Sequence, residues 1–346
     1  MSESKITIEN NLFKVNGKQI WFNGANTPWN KWNDFGGGYD DKWWDTHFAE
    51  LHKAGLNSTR VWINCNSDNG AIAIDETGMI GEITAAHWDD LDKFFETARR
   101  NKIYIMATLL SFDHFQDRGE RAEAAAKWRS MLYNKKSAES FAEKYVIPFV
   151  KRYDSNPYFW SIDLMNEPDW VYEVKICGQI PWENTSYLFA VCSAAIHEHS
   201  KIPVTVGMSF PKYNSDRADC EGNKVSDAFL QSLYPNKLAY LDFWSPHYYD
   251  WVGQHYGVPF CMTPEEFGMD PSKPSIIAEC CAKGSAGKTK DTENNTIVTD
   301  YKSAFENGWQ GVMPWTSNGV DANGDLSDLS PGTLYMSENH RELIFP

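Results

Sequence analysis

The chain has 346 residues, 42% hydrophobic and 23% charged, enough to bury one large core or two smaller ones. Acidic residues outnumber basic ones 47 to 32, and the formal net charge of −15 repels phosphate backbones and polyanions, leaving a neutral substrate as the expected partner. No run approaches the roughly 20 apolar residues that span a bilayer, so neither a membrane nor a nucleic acid is expected as a partner.

The N-terminal Met1-Ser2-Glu3-Ser4-Lys5 lacks a basic segment followed by an apolar run. The expectation is a cytoplasmic protein, or a secreted one whose signal peptide has been trimmed. Short apolar runs then recur at 20–26, 56–64, 103–110, 159–166, 202–208, 241–247, 275–279 and 311–315, each the length of a buried strand. Amphipathic stretches alternate with them. Residues 41–54 place Trp44, Phe48 and Leu51 on one face, with Gly55 positioned to end the helix. Residues 84–101 open on a capping Thr84 and repeat apolar residues at Trp88, Leu91, Phe95 and Ala98. Helices are also expected over 137–153, where Pro148 should kink or divide the element, and over 184–199, 225–233 and 299–307. Eight strand–helix alternations predict an α/β fold, one (β/α)₈ barrel in which residues 1–346 form a single domain, expected as a monomer. A doubly wound sheet would carry a Gly-rich phosphate loop after its first strand. Gly36-Gly37-Gly38 lacks that spacing and reads as a flexible loop.

Other counts narrow the chemistry. Seven irregularly spaced cysteines, with Cys280 and Cys281 adjacent, do not form a disulfide framework and read as reduced, buried hydrophobes. The 15 Trp, 16 Tyr and 19 Phe supply a large core and, in part, flat rings on which sugars stack. His197-x-His199 has a metal-like spacing but falls in a helix, so a solvated pair is expected there and no metal. The Asp321-Ala322-Asn323-Gly324-Asp325 segment lacks the distal Glu of a calcium loop and reads as an acidic turn. No cofactor is implied.

In a barrel of this kind the carboxyl ends of the strands converge on the active site. The run Ser161-Ile162-Asp163-Leu164-Met165-Asn166-Glu167-Pro168 is an apolar strand that ends in an amide and a carboxylate, and Pro274-Ser275-Ile276-Ile277-Ala278-Glu279 is another ending in Glu, three strands later. Partial desolvation raises a carboxyl's pKa and suits it to general-acid work. Glu167 and Glu279 facing one pocket would supply the two carboxylates that glycoside hydrolysis needs.

These residues carry a resemblance to the retaining glycoside hydrolases of clan A, family 5, which contains endo-β-1,4-mannanases, exo-β-mannosidases and endoglucanases. It runs from about Phe22 to Trp315 in the family's strand order, through Thr59-Arg60-Val61-Trp62, Asn166-Glu167-Pro168, His247-Tyr248-Tyr249, Glu279 and Met313-Pro314-Trp315. The resemblance implies that Glu167 is the general acid/base and Glu279 the nucleophile. It further implies that Asn166 bonds the sugar 2-hydroxyl, that Arg60 and Tyr249 hold Glu279 ionised, that His247 bounds the catalytic subsite and that Trp315 lies under the sugar. Trp62, Trp170 and Trp251, each just past a strand end, are expected platforms for neighbouring sugars. Many members end the third strand with a histidine; here Ser111-Phe112-Asp113-His114 offers His114 as a substrate contact. The motifs look more like mannan-active members than cellulases, so the expected partner is a neutral β-1,4-linked mannan or manno-oligosaccharide. The polar stretch 111–140 and the loop from Glu167 to about residue 184 could wall off one end of the cleft, which would favour exo action. The competing readings are an endo-β-1,4-glucanase of the same fold, a non-catalytic carbohydrate-binding barrel and a metal-dependent barrel hydrolase.

Overall fold

The computed structural model describes residues 5–285 and 296–345, so the reading of Met1 to Ser4 lies outside it. The chain opens with a small antiparallel sheet that the apolar runs did not reveal: β1 (Ile6–Glu9), β2 (Leu12–Val15) and β3 (Lys18–Gln19). The barrel wall begins with β4 (Phe22–Asn26) and β5 (Ser58–Trp62). A second unforeseen element, the hairpin β6 (Ile72–Ile74) and β7 (Ile80–Ile83), follows before the wall resumes. It continues with β8 (Tyr104–Thr108), β9 (Phe159–Asn166), β10 (Val204–Gly207) and β11 (Gly311–Val312). The wall order β10-β9-β8-β5-β4-β11 is parallel throughout.

Two further segments close it into a cylinder. Trp244 bridges Ser275 and Ile277 bridges Val312, all in parallel, while Asp242 N–H bonds back to Val204 O at 2.8 Å. These are the expected sixth and seventh strands, present as single bridges rather than continuous ladders. Pro246 and Pro274 account for this in part, since neither has an N–H to donate. Eight parallel segments around one axis make the (β/α)₈ barrel.

The helices follow local rules. Helix Asp41–Lys53 ends in a left-handed Gly55 (φ 84°), with Leu56 N–H bonded to Leu51 O and Gly55 N–H to His52 O. Thr84 caps Ala85–Asn101 by accepting from His87 N–H. The stretch around Pro148 stays helical from Lys135–Phe141 to Ile147–Tyr153, because one wide i→i+5 turn over Ala142–Val146 absorbs the proline. The polar stretch 111–140 folds into a 3₁₀ turn (Phe112–Phe115) and helix Ala122–Tyr133, and so is far from structureless. The triple glycine is pinned rather than loose, with Gly36 and Gly37 N–H both donating to Asp90 Oδ2. His197 also corrects the expectation of a solvated pair. Its ring bonds Leu238 O and Asp242 Oδ2 and stacks on Tyr240, while His199 is exposed.

What positions the site is the barrel's floor. Phe13 on β2 inserts under the wall and meets Phe22, Trp160 and Phe243 edge-on at ring distances of 5.0, 5.5 and 5.3 Å. Met106, Ile276, Ala278 and Met313 complete this apolar plug, which leaves the opposite mouth for polar groups. Phe13 is fully buried and its N–H bonds Gln310 Oε1 at 3.0 Å. Phe13→Ala is expected to cost about 3–5 kcal/mol through the cavity left among the rings. Thermal or denaturant unfolding checks this, and an unchanged midpoint would show that the N-terminal sheet does not support the floor.

Candidate active site

The mouth of the barrel is organised around one buried cation. Arg60, at the third position of β5, has no solvent exposure, so each of its donors needs a partner inside the protein. Its Nε and Nη2 donate to Asp163 Oδ2 at 3.0 and 2.6 Å, and Nη2 also to Asn166 Oδ1 at 2.9 Å. Its Nη1 donates to Asn26 Oδ1 at 3.1 Å and to Glu279 Oε2 at 3.0 Å. The guanidinium lies 4.3 Å from the centre of the Trp62 ring.

Asp163 and Asn166 are three residues apart, and in a regular strand they would face opposite sides. The pairing of β9 with β10 slips between Thr205↔Asp163 and Gly207↔Asn166, and this bulge turns both side chains onto Arg60. Asp163 Oδ1 holds the bulge by accepting from Gly207 N–H at 2.8 Å. The next residue, Glu167, has a left-handed backbone (φ 48°), uncommon for a residue with a side chain and worth roughly 1–3 kcal/mol of strain. Its N–H bonds Gly207 O at 2.7 Å and its carbonyl receives Trp170 N–H at 3.2 Å, which fixes the turn. The left-handed turn breaks the strand's alternation, so Glu167 enters the same cleft as Asn166.

Glu167 and Glu279 meet at His247. The imidazole Nδ1 is 2.9 Å from Glu167 Oε1 and 3.4 Å from Glu279 Oε2, and one oxygen of each carboxyl lies within 4.8 Å of the other. Burial pushes His247 down to about 4, so the ring is neutral and Nδ1–H donates toward the carboxylates. Burial raises both carboxyls, Glu167 to about 7. Opposing this, Glu279 faces His247, Arg60 and the Tyr249 hydroxyl, which donates to Oε1 at 2.6 Å. On Glu167 the chief opposing contact is the Trp170 indole N–H, 2.8 Å from Oε2. One carboxyl therefore sits among partners that favour its anion, and the other is poised to hold a proton near neutrality. This pairing can both attack an electrophilic carbon and protonate a leaving oxygen. Glu167, His247 and Glu279 are also close enough together to hold a divalent ion.

A cleft of about 530 Å³ opens over these groups. Trp62, Asn166, Tyr249 and Trp315 line it with the two glutamates. Asn166 gives its oxygen to Arg60, so its amide nitrogen is what remains for a ligand. Trp29 and Trp32 extend the aromatic wall, Trp29 packing edge-on against Trp32, Trp62 and Trp315. Trp170 and Trp251 lie outside this wall, in a second aromatic patch that includes Phe210.

His114 does not reach the cleft. The 3₁₀ turn capped by Ser111 rotates it beneath helix Ala122–Tyr133, where it is fully buried, bonded to Ser111 and edge-on to Trp128 at 4.6 Å. Its neighbour Asp113 lines the cleft instead. Arg121, also unforeseen, straps the loops after β5 and β8. It bonds Asp68 through Nε, Asp113 O and Gln116 O through Nη1, and Asn66 O through Nη2. Asp321 and Asn323 also line the cleft, while Asp325 of the acidic turn caps helix Leu326–Asn339.

Gly207 is needed for its missing side chain. A Cβ there would stand 2.8 Å from Arg60 Nη2 and 2.9 Å from His247 Nε2, both fully buried groups with nowhere to retreat. Gly207→Ala is expected to cost about 1–3 kcal/mol of stability and, by displacing Arg60 and His247, at least about tenfold in kcat/KM. Steady-state kinetics with unfolding curves check this; a fully active alanine variant would show that the network tolerates displacement.

Comparison with known proteins agrees with this architecture. The family profile described as Cellulase (glycosyl hydrolase family 5) matches residues 13–313. A mannan endo-1,4-beta-mannosidase from Cryptopygus antarcticus is 21% identical over 353 aligned positions, covering 93% of this chain and 86% of that protein. The solved β-mannanase of the blue mussel Mytilus edulis superposes with a TM-score of 0.82 at 18% identity, over 99% of each chain. The endo-1,4-β-mannanase of Eisenia fetida does so at 0.80 and 21% identity, over 96% of this chain and 95% of its own. Among the described residues no helix is long and apolar enough to cross a membrane. With a barrel that closes through eight parallel segments and a profile match across most of its length, the chain belongs to glycosyl hydrolase family 5 and is a glycoside hydrolase.

Proposed function

We propose that the protein is an endo-acting β-1,4-mannanase that cleaves by double displacement, with Glu167 as general acid/base and Glu279 as nucleophile. The observation that carries the mechanism is the shared position of the two carboxyls about His247, with oxygens within 4.8 Å of one another. Retaining enzymes hold their carboxyls roughly 5–5.5 Å apart, whereas inverting ones leave roughly 6.5–9.5 Å for a water. The 4.8 Å approach supports retention. Mannan as substrate is supported by the mannanase activity of the relatives, and chain-internal cleavage by the disposition of exposed rings. Trp32, 41% exposed, marks the aromatic wall on one side, and Trp251, also 41% exposed, marks the separate patch joined to Glu167 through Trp170. A polysaccharide can stack on both, with the scissile bond between them.

The steps follow from the two environments. Glu279, held by Arg60 and Tyr249, attacks the anomeric carbon while Glu167 gives its proton to the leaving oxygen. Glu167, now a carboxylate, takes a proton from the incoming water, and that water releases the sugar from Glu279. Asn166 would donate its amide N–H to the sugar 2-hydroxyl, and Trp315 would underlie the ring.

Mannohexaose and cellohexaose, digested side by side with a Glu279→Ala control, test the substrate. The expected result is faster loss of mannohexaose, early products of intermediate length, and at least about a thousandfold lower rate in the control. Release of single mannoses from the chain ends would make the enzyme exo-acting. Faster cleavage of cellohexaose would move it to the endoglucanases, the second reading that the family description favours. Full activity in EDTA is expected; loss of activity restored by a divalent ion would replace this mechanism with a metal-dependent one.

The pH profile tests the roles. Glu167 must be protonated to act, and burial sets its pKa at about 7, so kcat/KM is expected to fall as pH rises through about 7. Glu279 must be ionised, so activity is also expected to fall at low pH as that carboxyl takes a proton. A Glu167→Gln variant that kept both the rate and the alkaline limb would remove Glu167 from the mechanism.

A further inference from the structure

The two oxygens of Glu167 are occupied in a way that the double displacement alone does not require. Oε1 accepts from His247 Nδ1 at 2.9 Å, and Oε2 accepts from the indole N–H of Trp170 at 2.8 Å. Both partners point hydrogens at the carboxyl, so the acid's own proton is excluded from both of those directions and must project along a remaining lone pair. The side chain of Glu167 is only 13% exposed, and the open side is the cleft. Trp170 in turn belongs to the second aromatic patch, its ring 6.3 Å from Trp251 and 6.4 Å from Phe210.

Resting on Glu167 as the acid, we propose that Trp170 is a positioning residue: its indole N–H determines at which pH the acid keeps its proton and toward which side it delivers that proton. An N–H aimed at a carboxylate stabilises the anion and gives nothing to a neutral acid's hydroxyl hydrogen. Removing it should therefore make Glu167 a weaker acid. The other charged and titratable groups facing Glu167 stay in place: Arg60 from β5, Asp163 from β9, His247 and Tyr249 after the sixth segment, and Glu279 from the seventh. Asp113 from the turn after β8 and Asp169 from the short helix after Glu167 complete the set. The indole of Trp170 carries no charge, so its replacement by Phe removes one hydrogen-bond donor and changes no charge.

The test is the pH dependence of kcat/KM on mannohexaose for the wild type, Trp170→Phe and Glu167→Gln. Trp170→Phe should shift the alkaline midpoint upward by about one pH unit and leave the acid limb where it was. On a dinitrophenyl β-mannoside, whose leaving group departs without a proton, that difference in midpoint should disappear. A merely structural role would lower the rate at every pH on both substrates and move no midpoint. Incorporating 3-benzothienylalanine at position 170, which keeps the ring's shape and loses only the N–H, serves if the Phe variant fails to fold. If Glu167→Gln abolishes the alkaline limb while the position-170 variants keep the wild-type midpoint, or lower it, the inference about Trp170 falls and Glu167 remains the acid. If Glu167→Gln retains the limb, the functional reading itself falls.

Discussion

A single buried guanidinium is the constraint around which this barrel's mouth is built. The Arg60 guanidinium has no solvent exposure, so the surrounding chain must supply acceptors in its plane. Asp163, Asn166, Asn26 and Glu279 do so from three different barrel segments. Each acceptor imposes its own local condition. Asp163 and Asn166 can both reach only because β9 bulges, and the bulge persists because Asp163 also ties down Gly207. Asn26 is fixed in its turn by donating to Ala278 O and Met313 O, which locks the first segment to the seventh and eighth. Removing one member of such a buried set strands the others without compensation, at roughly 3–5 kcal/mol. The network therefore holds the geometry of the mouth and is not a local decoration of it.

The difference between the two glutamates follows from where each sits relative to that cation. Glu279 bonds Arg60 directly and takes a phenol hydroxyl on its other oxygen, so its negative charge is met on both sides. Glu167 is held by a neutral imidazole and a neutral indole and meets Arg60 only at longer range. Two identical side chains thereby acquire different tendencies to hold a proton, which is the asymmetry that the proposed double displacement needs. The strain in Glu167's left-handed backbone belongs to the same arrangement. Without that turn its side chain would leave the cleft on the outer face of the wall.

These features differ in how far they could be read from the chain. Buried strands of a parallel barrel announce themselves as continuous apolar runs, so the eight wall segments and the residues at their ends, including Glu167 and Glu279, stand out at once. Arg60 was visible as a cation within such a run. Its partner Asp163 carries the same signal, a charge in an apolar strand that must find an opposite charge. Gly207 and the bulge had none, because the pattern of one strand does not record its register with the next. The N-terminal sheet was missed because its strands are two to four residues long and half-exposed. At the end of the third strand the prediction fell on His114 when the cleft residue is Asp113. One residue of rotation in a 3₁₀ turn decides between them, and only the cap at Ser111 and the packing on Trp128 fix that rotation.

The apolar floor and the polar mouth are mechanically one object. The strands that carry Asn26, Arg60 and Asn166 begin among, or beside, the rings that enclose Phe13, so packing at one end sets where the polar side chains emerge at the other. Interiors packed this densely do not deform by small amounts without cost. Groups in the mouth are thereby held in place before a substrate arrives, and little reorganisation is left for the moment of reaction. A neutral polysaccharide gives a protein no charge to grip. It offers flat apolar ring faces and a rim of hydroxyls, and in the proposed function Trp315, Trp62 and Trp29, which line the cleft beside Asn166 and Asp113, would meet them. The charges on which the proposed mechanism relies are committed to one another through Arg60 and His247. For a glycoside hydrolase whose surface carries a net charge of −15, that separation places substrate recognition in shape and stacking and keeps electrostatics for the bond being broken.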